Sequence, residues 1–181
     1  VRAPREADAM FEVRTYEKGA SVLRMLERYL GPEVFRDGVR EYLRRHAYAN
    51  ADTGDLWQAL GRAARQPIPE VMDGWILTPG YPLVSARREG RELVLSQRRF
   101  TYLPEPPPGG ASAAEPGQRW RVPVQVRLGA SGRASTERIL LSDAVARLAV
   151  PPNVDAVVVN EGGHGFYRVR YEGELLERLL R

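Results

Sequence analysis

VMDGWILTPGYPLVSARREGRELVLSQRRF, residues 71–100, holds the change of pattern that decides the fold. Up to Ile76 the apolar residues Val71, Met72, Trp75 and Ile76 recur at three-to-four spacing, which puts them on one face of a helix. Pro79 and Gly80 then form a turn that a helix does not survive. From Tyr81 the pattern is that of strands: two β-prone runs meet at Glu89-Gly90, with Leu93 and Leu95 set to bury one face of a half-buried hairpin. Helices before residue 80 and strands after it predict an α+β chain.

Working back from residue 71, each segment has a helical stripe. Val22, Leu23, Met25, Leu26, Tyr29 and Leu30 form the first, from about Thr15, and Gly31 ends it. Pro32 suits the first turn of a second helix, with Val34, Phe35, Val39, Tyr42 and Leu43 inward. Asp52 or Thr53 is placed to cap a third, with Leu56, Trp57, Leu60 and Ala64 inward, closed by Gln66 and Pro67. Ile68 or Pro69 starts the fourth.

Working forward, residues 103–118, LPEPPPGGASAAEPGQ, are rich in proline and glycine and are expected to be a mobile loop. Then come WRVPVQVRL (120–128), STERILLS (135–142), AVARLAV (144–150), DAVVVN (155–160) and FYRVRY (166–171), short runs at the spacing of a small antiparallel β-sandwich. GELLERLLR (173–181) returns to a helical pattern. The expected organisation is a helical segment over 1–80, a β-sandwich over 81–171, and the start of a further helical domain over 172–181. The chain opens on Val1 rather than methionine, so it is read as a segment of a longer protein.

Composition removes several classes of function. With no cysteine among 181 residues there is neither a disulfide framework nor a thiolate metal site. No run approaches the roughly 20 apolar residues of a membrane span, so no membrane partner is expected, and cytoplasmic residence is the expected location. Lys18 is the only lysine among 27 basic residues, and the arginines are interspersed with 23 acids rather than clustered. Without a compact basic footprint, no nucleic-acid partner is expected.

The chemistry-bearing residues are few. His46, at the end of the second helix, suits the negative end of the helix dipole, and His164 lies in the turn GGHGF. The two are too far apart in sequence to form a His-Glu-x-x-His zinc pair, so no metal is expected on this chain. No phosphate loop or nucleophile elbow is present. Tyr16, in TYEKG, stands at the start of the first helix. There it reads either as an aromatic packing over its own helix or as a phenol able to donate to an oxygen gaining negative charge.

The stretches YEKGASVLRMLERYLGPEVFRDGVREYLRRHAYANADTGDLW (16–57) and VMDGWILTPGYPLV (71–84), followed by FYRVRY (166–171), resemble the gluzincin zinc aminopeptidases of the aminopeptidase N type. The resemblance covers nearly the whole chain, on specific motifs in the front half and on strand-rich character alone over 83–160. It implies the end of a catalytic domain, downstream of the zinc-binding motif, followed by the family's β-sandwich.

It also implies a parent protein that removes N-terminal amino acids from peptides using zinc. In the family, the tyrosine that opens Tyr-x-Lys-Gly helps to stabilise the tetrahedral intermediate, and Tyr16 occupies that position. Lys18 and Gly19 are assigned to packing at the helix start, and Glu17 to the helix dipole. Asp8 and Phe11 are expected near the substrate channel; without the resemblance they read as a loop acid and a core aromatic. The zinc ligands are absent from this segment, so the isolated chain is expected to be inactive. The alternative is a non-catalytic scaffold or interaction module. Helix faces that the missing domains would cover are expected to be exposed and to favour self-association.

Overall fold

The computed structural model describes residues 13–102, 118–130 and 132–180. The proline-rich stretch 103–117 lies outside the described residues, as do Asp8 and Phe11. Four helices come first: α1 (Val13–Leu30), α2 (Pro32–Arg45), α3 (Thr53–Ala64) and α4 (Ile68–Ile76). Seven strands follow: β1 (Pro82–Glu89), β2 (Glu92–Arg99), β3 (Val122–Ala130), β4 (Arg133–Leu141), β5 (Val145–Ala149), β6 (Ala156–Val159) and β7 (Arg168–Tyr171). A short helix, α5 (Glu174–Leu179), ends the described chain. The chain is α+β.

The helices begin and end where local chemistry requires. Gly31, at φ 90°, turns the chain between α1 and Pro32. Asp52 caps α3 in a reciprocal box: its side chain accepts from the Asp55 N–H, and the Asp55 carboxylate accepts from the Asp52 N–H. Arg65 closes α3 in the left-handed conformation, φ 53°.

The predicted stripes are buried unequally. Val22, Met25 and Leu26 of α1, Trp57 and Leu60 of α3, and Val71, Met72 and Trp75 of α4 are all in the core. In α2, by contrast, Phe35 and Val39 are only half-buried, Leu43 is exposed, and the one buried residue is Gly38. A Cβ on Gly38 would stand 2.7 Å from Leu60 Cδ2 and 3.0 Å from Leu60 Cα, so the α2 backbone closely approaches both the side chain and the backbone of Leu60 in α3. Gly38→Ala should therefore lower stability by about 1–3 kcal/mol in urea unfolding, although alanine is the better helix former. A stability equal to or above that of the natural sequence would contradict this packing.

The strands form two sheets, ordered β5-β2-β1-β7 and β4-β3-β6. Every pairing is antiparallel except β1 with β7, where Leu83 to Ala86 run parallel to Arg168 to Tyr171. Val84, Ala86, Leu93 and Leu95 from the first sheet join Val122, Val124, Val126 and Leu128 from the second in one apolar core. Side chains also tie the sheets together. The Tyr171 hydroxyl of β7 donates to the Val159 carbonyl of β6 and accepts from its N–H. Gln97 of β2 donates to the Trp120 and Asp143 carbonyls and accepts from the Trp120 N–H.

The β1–β2 hairpin is buried more fully than its pattern predicts. Leu83 and Val94 are covered as well as Val84, Leu93 and Leu95. Val94 is paired with Arg87 on one side and Arg147 on the other, and both arginines reach Glu89.

The same core continues into the helices. Trp75 of α4 is fully buried, packs against Trp120 and Phe166 with ring centres 6.3 Å away, and donates from Nε1 to the Arg121 carbonyl at 3.1 Å. A cavity of about 840 Å³, which Trp75 also lines, opens among α1, α2, α3 and α4. Leu23, Tyr42, Leu56, Trp57 and Ile76 are among the residues lining it. Nearby, Ile76 and Leu77 are exposed.

Candidate functional site

Tyr16 is presented by α1. Nothing between Val13 and Tyr16 interrupts a helix, and α1 accordingly begins before Tyr16, making it the fourth described residue of the helix rather than the residue at its mouth. Glu17 follows as the fifth, so no acid occupies the first described turn and the expected pairing of Glu17 with the helix dipole does not apply there. Nine residues at about 100° each put Met25, which is buried, half a turn round the axis from Tyr16. The Tyr16 ring is accordingly turned from the core and is 60% exposed.

Lys18 and Gly19 lie on the wall of the helical cavity. Burial pushes the Lys18 ammonium below the usual lysine range. No heavy atom of the described residues lies within 4 Å of where a Gly19 Cβ would be, so the packing role expected for Gly19 has no neighbour here. A glycine inside a helix costs about 0.5–1 kcal/mol relative to alanine.

The far half of α1 rests on the β-sandwich. Gln125 alternates away from the core residues Val124 and Val126 of β3, and its Nε2 donates to the carbonyl of Arg28 in the last turn of α1. The Phe166 N–H donates to Met25 Sδ at 3.4 Å, and Arg24 Nε donates to His164 Nδ1 at 3.3 Å. The turn that carries His164 and Phe166 is pinned by Asn160, whose amide donates to the Gly165 carbonyl and accepts from its N–H. Gly165 is obligatory there, since a Cβ would fall 2.1 Å from the Tyr167 ring.

The two histidines occupy unrelated places. His46 caps the C-terminus of α2, beside the Tyr42 ring and 3.8 Å from an Asp55 oxygen. Among the described residues, no group of three or more His, Asp or Glu stands close enough to hold a metal ion. Nor does any helix among them have the length and apolarity to cross a membrane.

Residues 1–75 match the peptidase family M1 domain. Over its full length the chain is 36% identical to Tricorn protease-interacting factor F2 of Thermoplasma acidophilum, of which it covers 21%. The chain belongs to peptidase family M1. Over 98% of its length this M1 chain is also 38% identical to puromycin-sensitive aminopeptidase of Caenorhabditis elegans, covering 19% of that protein. Over 95% it is 36% identical to probable aminopeptidase 1 of Saccharolobus solfataricus, covering 20%. The chain thus spans about a fifth of the length of the curated relatives it matches. The M1 match takes in α1, α2 and α3 and stops one residue short of the end of α4.

Sequence reasoning singled out Tyr16 but missed Gln125, Gly38 and the Asn160–Gly165 turn. A polar residue alternating with valines, as Gln125 does, has the signature of a solvated strand face. Nothing local marks that face as the seat of a helix.

Proposed function

We propose that this chain is part of a zinc aminopeptidase that removes N-terminal residues from peptides, and that Tyr16 is the group it contributes to the reaction. Membership of family M1 supports the aminopeptidase reading. The observation that carries the Tyr16 reading is the exposure of its ring on the face of α1 turned from the core. On this reading the phenol donates a hydrogen bond to the scissile carbonyl oxygen as it gains negative charge and the carbon becomes tetrahedral. The described residues do not fit a zinc site, so metal binding is assigned to the remainder of the parent protein.

The chain is then organised as the end of a catalytic domain over 1–80, a β-sandwich over 81–171 and the opening of a helical domain from 172, in a cytoplasmic enzyme. Asp8 and Phe11 would border the substrate path. The apolar cavity beside Trp57 and the exposed Ile76 and Leu77 would be covered by the rest of the catalytic domain, and in its absence would favour self-association.

The test of the division of labour is direct. The isolated chain, given zinc and an aminoacyl chromogenic substrate, is expected to show no chelator-sensitive hydrolysis, whereas the whole protein hydrolyses it. Turnover by the isolated chain that a chelator abolishes would overturn the assignment of the metal to other residues. A second reading, a non-catalytic scaffold, is favoured by the continuous core that joins α4 to the sandwich through Trp75. Whole protein without peptidase activity would select it.

A further inference from the structure

We propose that the cavity among α1, α2, α3 and α4 receives a segment of the parent protein that is apolar apart from one carboxylate, and that this carboxylate pairs with the Lys18 ammonium. The proposal rests on the reading above that the rest of the catalytic domain covers the cavity. Lys18 precedes Val22 by four residues and Val22 precedes Leu26 by four, so the three share one face of α1. Val22 and Leu26 are in the core. The buried stripe of α1 therefore opens on a charge, carried by the only lysine among 27 basic residues.

The surroundings of that charge are apolar: Leu23, Leu56, Trp57, Met72 and Ile76 line the same cavity. Burial is what lowers the Lys18 ammonium below the usual lysine range, with no opposing charge. The other titratable groups on the wall are Tyr42 of α2 and Asp52, while α4 contributes none. Asp52 is engaged in the cap of α3 through the Asp55 N–H. A desolvated ammonium is costly alone and is compensated opposite a carboxylate. As a compact point charge with three donors it suits a single carboxylate, where a guanidinium would present a wide planar fork. Residues 1–75 match the M1 domain, which takes in all of the cavity wall except Ile76, and the chain spans about a fifth of its relatives' length. The occupant is accordingly assigned to the parent's own polypeptide.

The test follows acylation of Lys18 by an amine-reactive reagent as a function of pH, by mass spectrometry on the fragment that holds it. Only the neutral amine reacts, so the profile reads the ammonium directly. The isolated chain, at concentrations where light scattering finds a monomer, is compared with the whole protein. A carboxylate favours the charged form, so the midpoint of the profile is expected at least about one pH unit higher in the whole protein. Slower labelling with a midpoint that is unchanged or lower would mean an apolar cover without a carboxylate, which overturns the pairing and leaves the covering intact. The same rate and midpoint in both forms would mean that the cavity stays open in the parent, and the reading beneath the proposal fails with it. A midpoint in the isolated chain that rises with its own concentration would give the cavity to a second copy, and this too overturns the assignment.

Discussion

Tyr16→Phe in the whole protein is expected to lower kcat about a hundredfold to a thousandfold while KM changes little. The substitution removes one oxygen and leaves the ring, so what it deletes is a hydrogen-bond donor rather than a packing element. A donor that meets charge developed only in the transition state contributes to turnover and not to ground-state binding, which is why the loss falls on kcat. Removal of one such donor typically costs about 2.7–4 kcal/mol of transition-state stabilisation. With the ring 60% exposed, folding stability should stay within about 0.5 kcal/mol of the natural protein. Steady-state kinetics on an aminoacyl substrate, with urea unfolding beside them, check both halves. Turnover within a few-fold of the natural enzyme would remove Tyr16 from the reaction.

Trp75→Ala is expected to destabilise the isolated chain by about 3–5 kcal/mol, a large share of the roughly 5–15 kcal/mol that a domain has in total. Trp75 is fully buried and stands where α4 meets the sandwich, against Trp120 and Phe166. Its loss opens a cavity in the shared core and leaves the Arg121 carbonyl without its indole donor. Because the contacts of Trp75 reach both the helical layer and the strands, the unfolding transitions followed by helix signal and by sheet signal should move together. Trp75→Phe, which keeps much of the ring volume but not the N–H, should cost less. A loss below about 1.5 kcal/mol for the alanine variant would mean that the two halves do not depend on this side chain.

The elements themselves were readable from local chemistry. Apolar spacing marked α1 to α4, Gly31 and Asp52 marked their ends, and the five short runs from Trp120 to Tyr171 each overlap an observed strand. The candidate site was readable in one residue, Tyr16, and then through a resemblance over YEKGASVLRMLERYL rather than through spacing. Misreadings cluster where burial depends on a distant segment. Leu43 and Ile76 carry the right periodicity for core positions yet are exposed. Val94 stands between Arg87 of β1 and Arg147 of β5, where a residue looks outward, yet it is buried.

By itself the sequence determined what depends on neighbours within a few residues: where helices and strands form, where Gly and Pro break them, and that no cysteine chemistry is available. Only the tertiary structure decided that β7 runs parallel to β1, that Gly38 is the close-approach point of α2 on Leu60, and that Gln125 seats the last turn of α1. The physical reason is common to all three. Backbone propensity and capping act through the chain's own local bonds, whereas each of these features is a contact between residues far apart in sequence. Its presence depends on how whole elements come together, and no short window of residues encodes that.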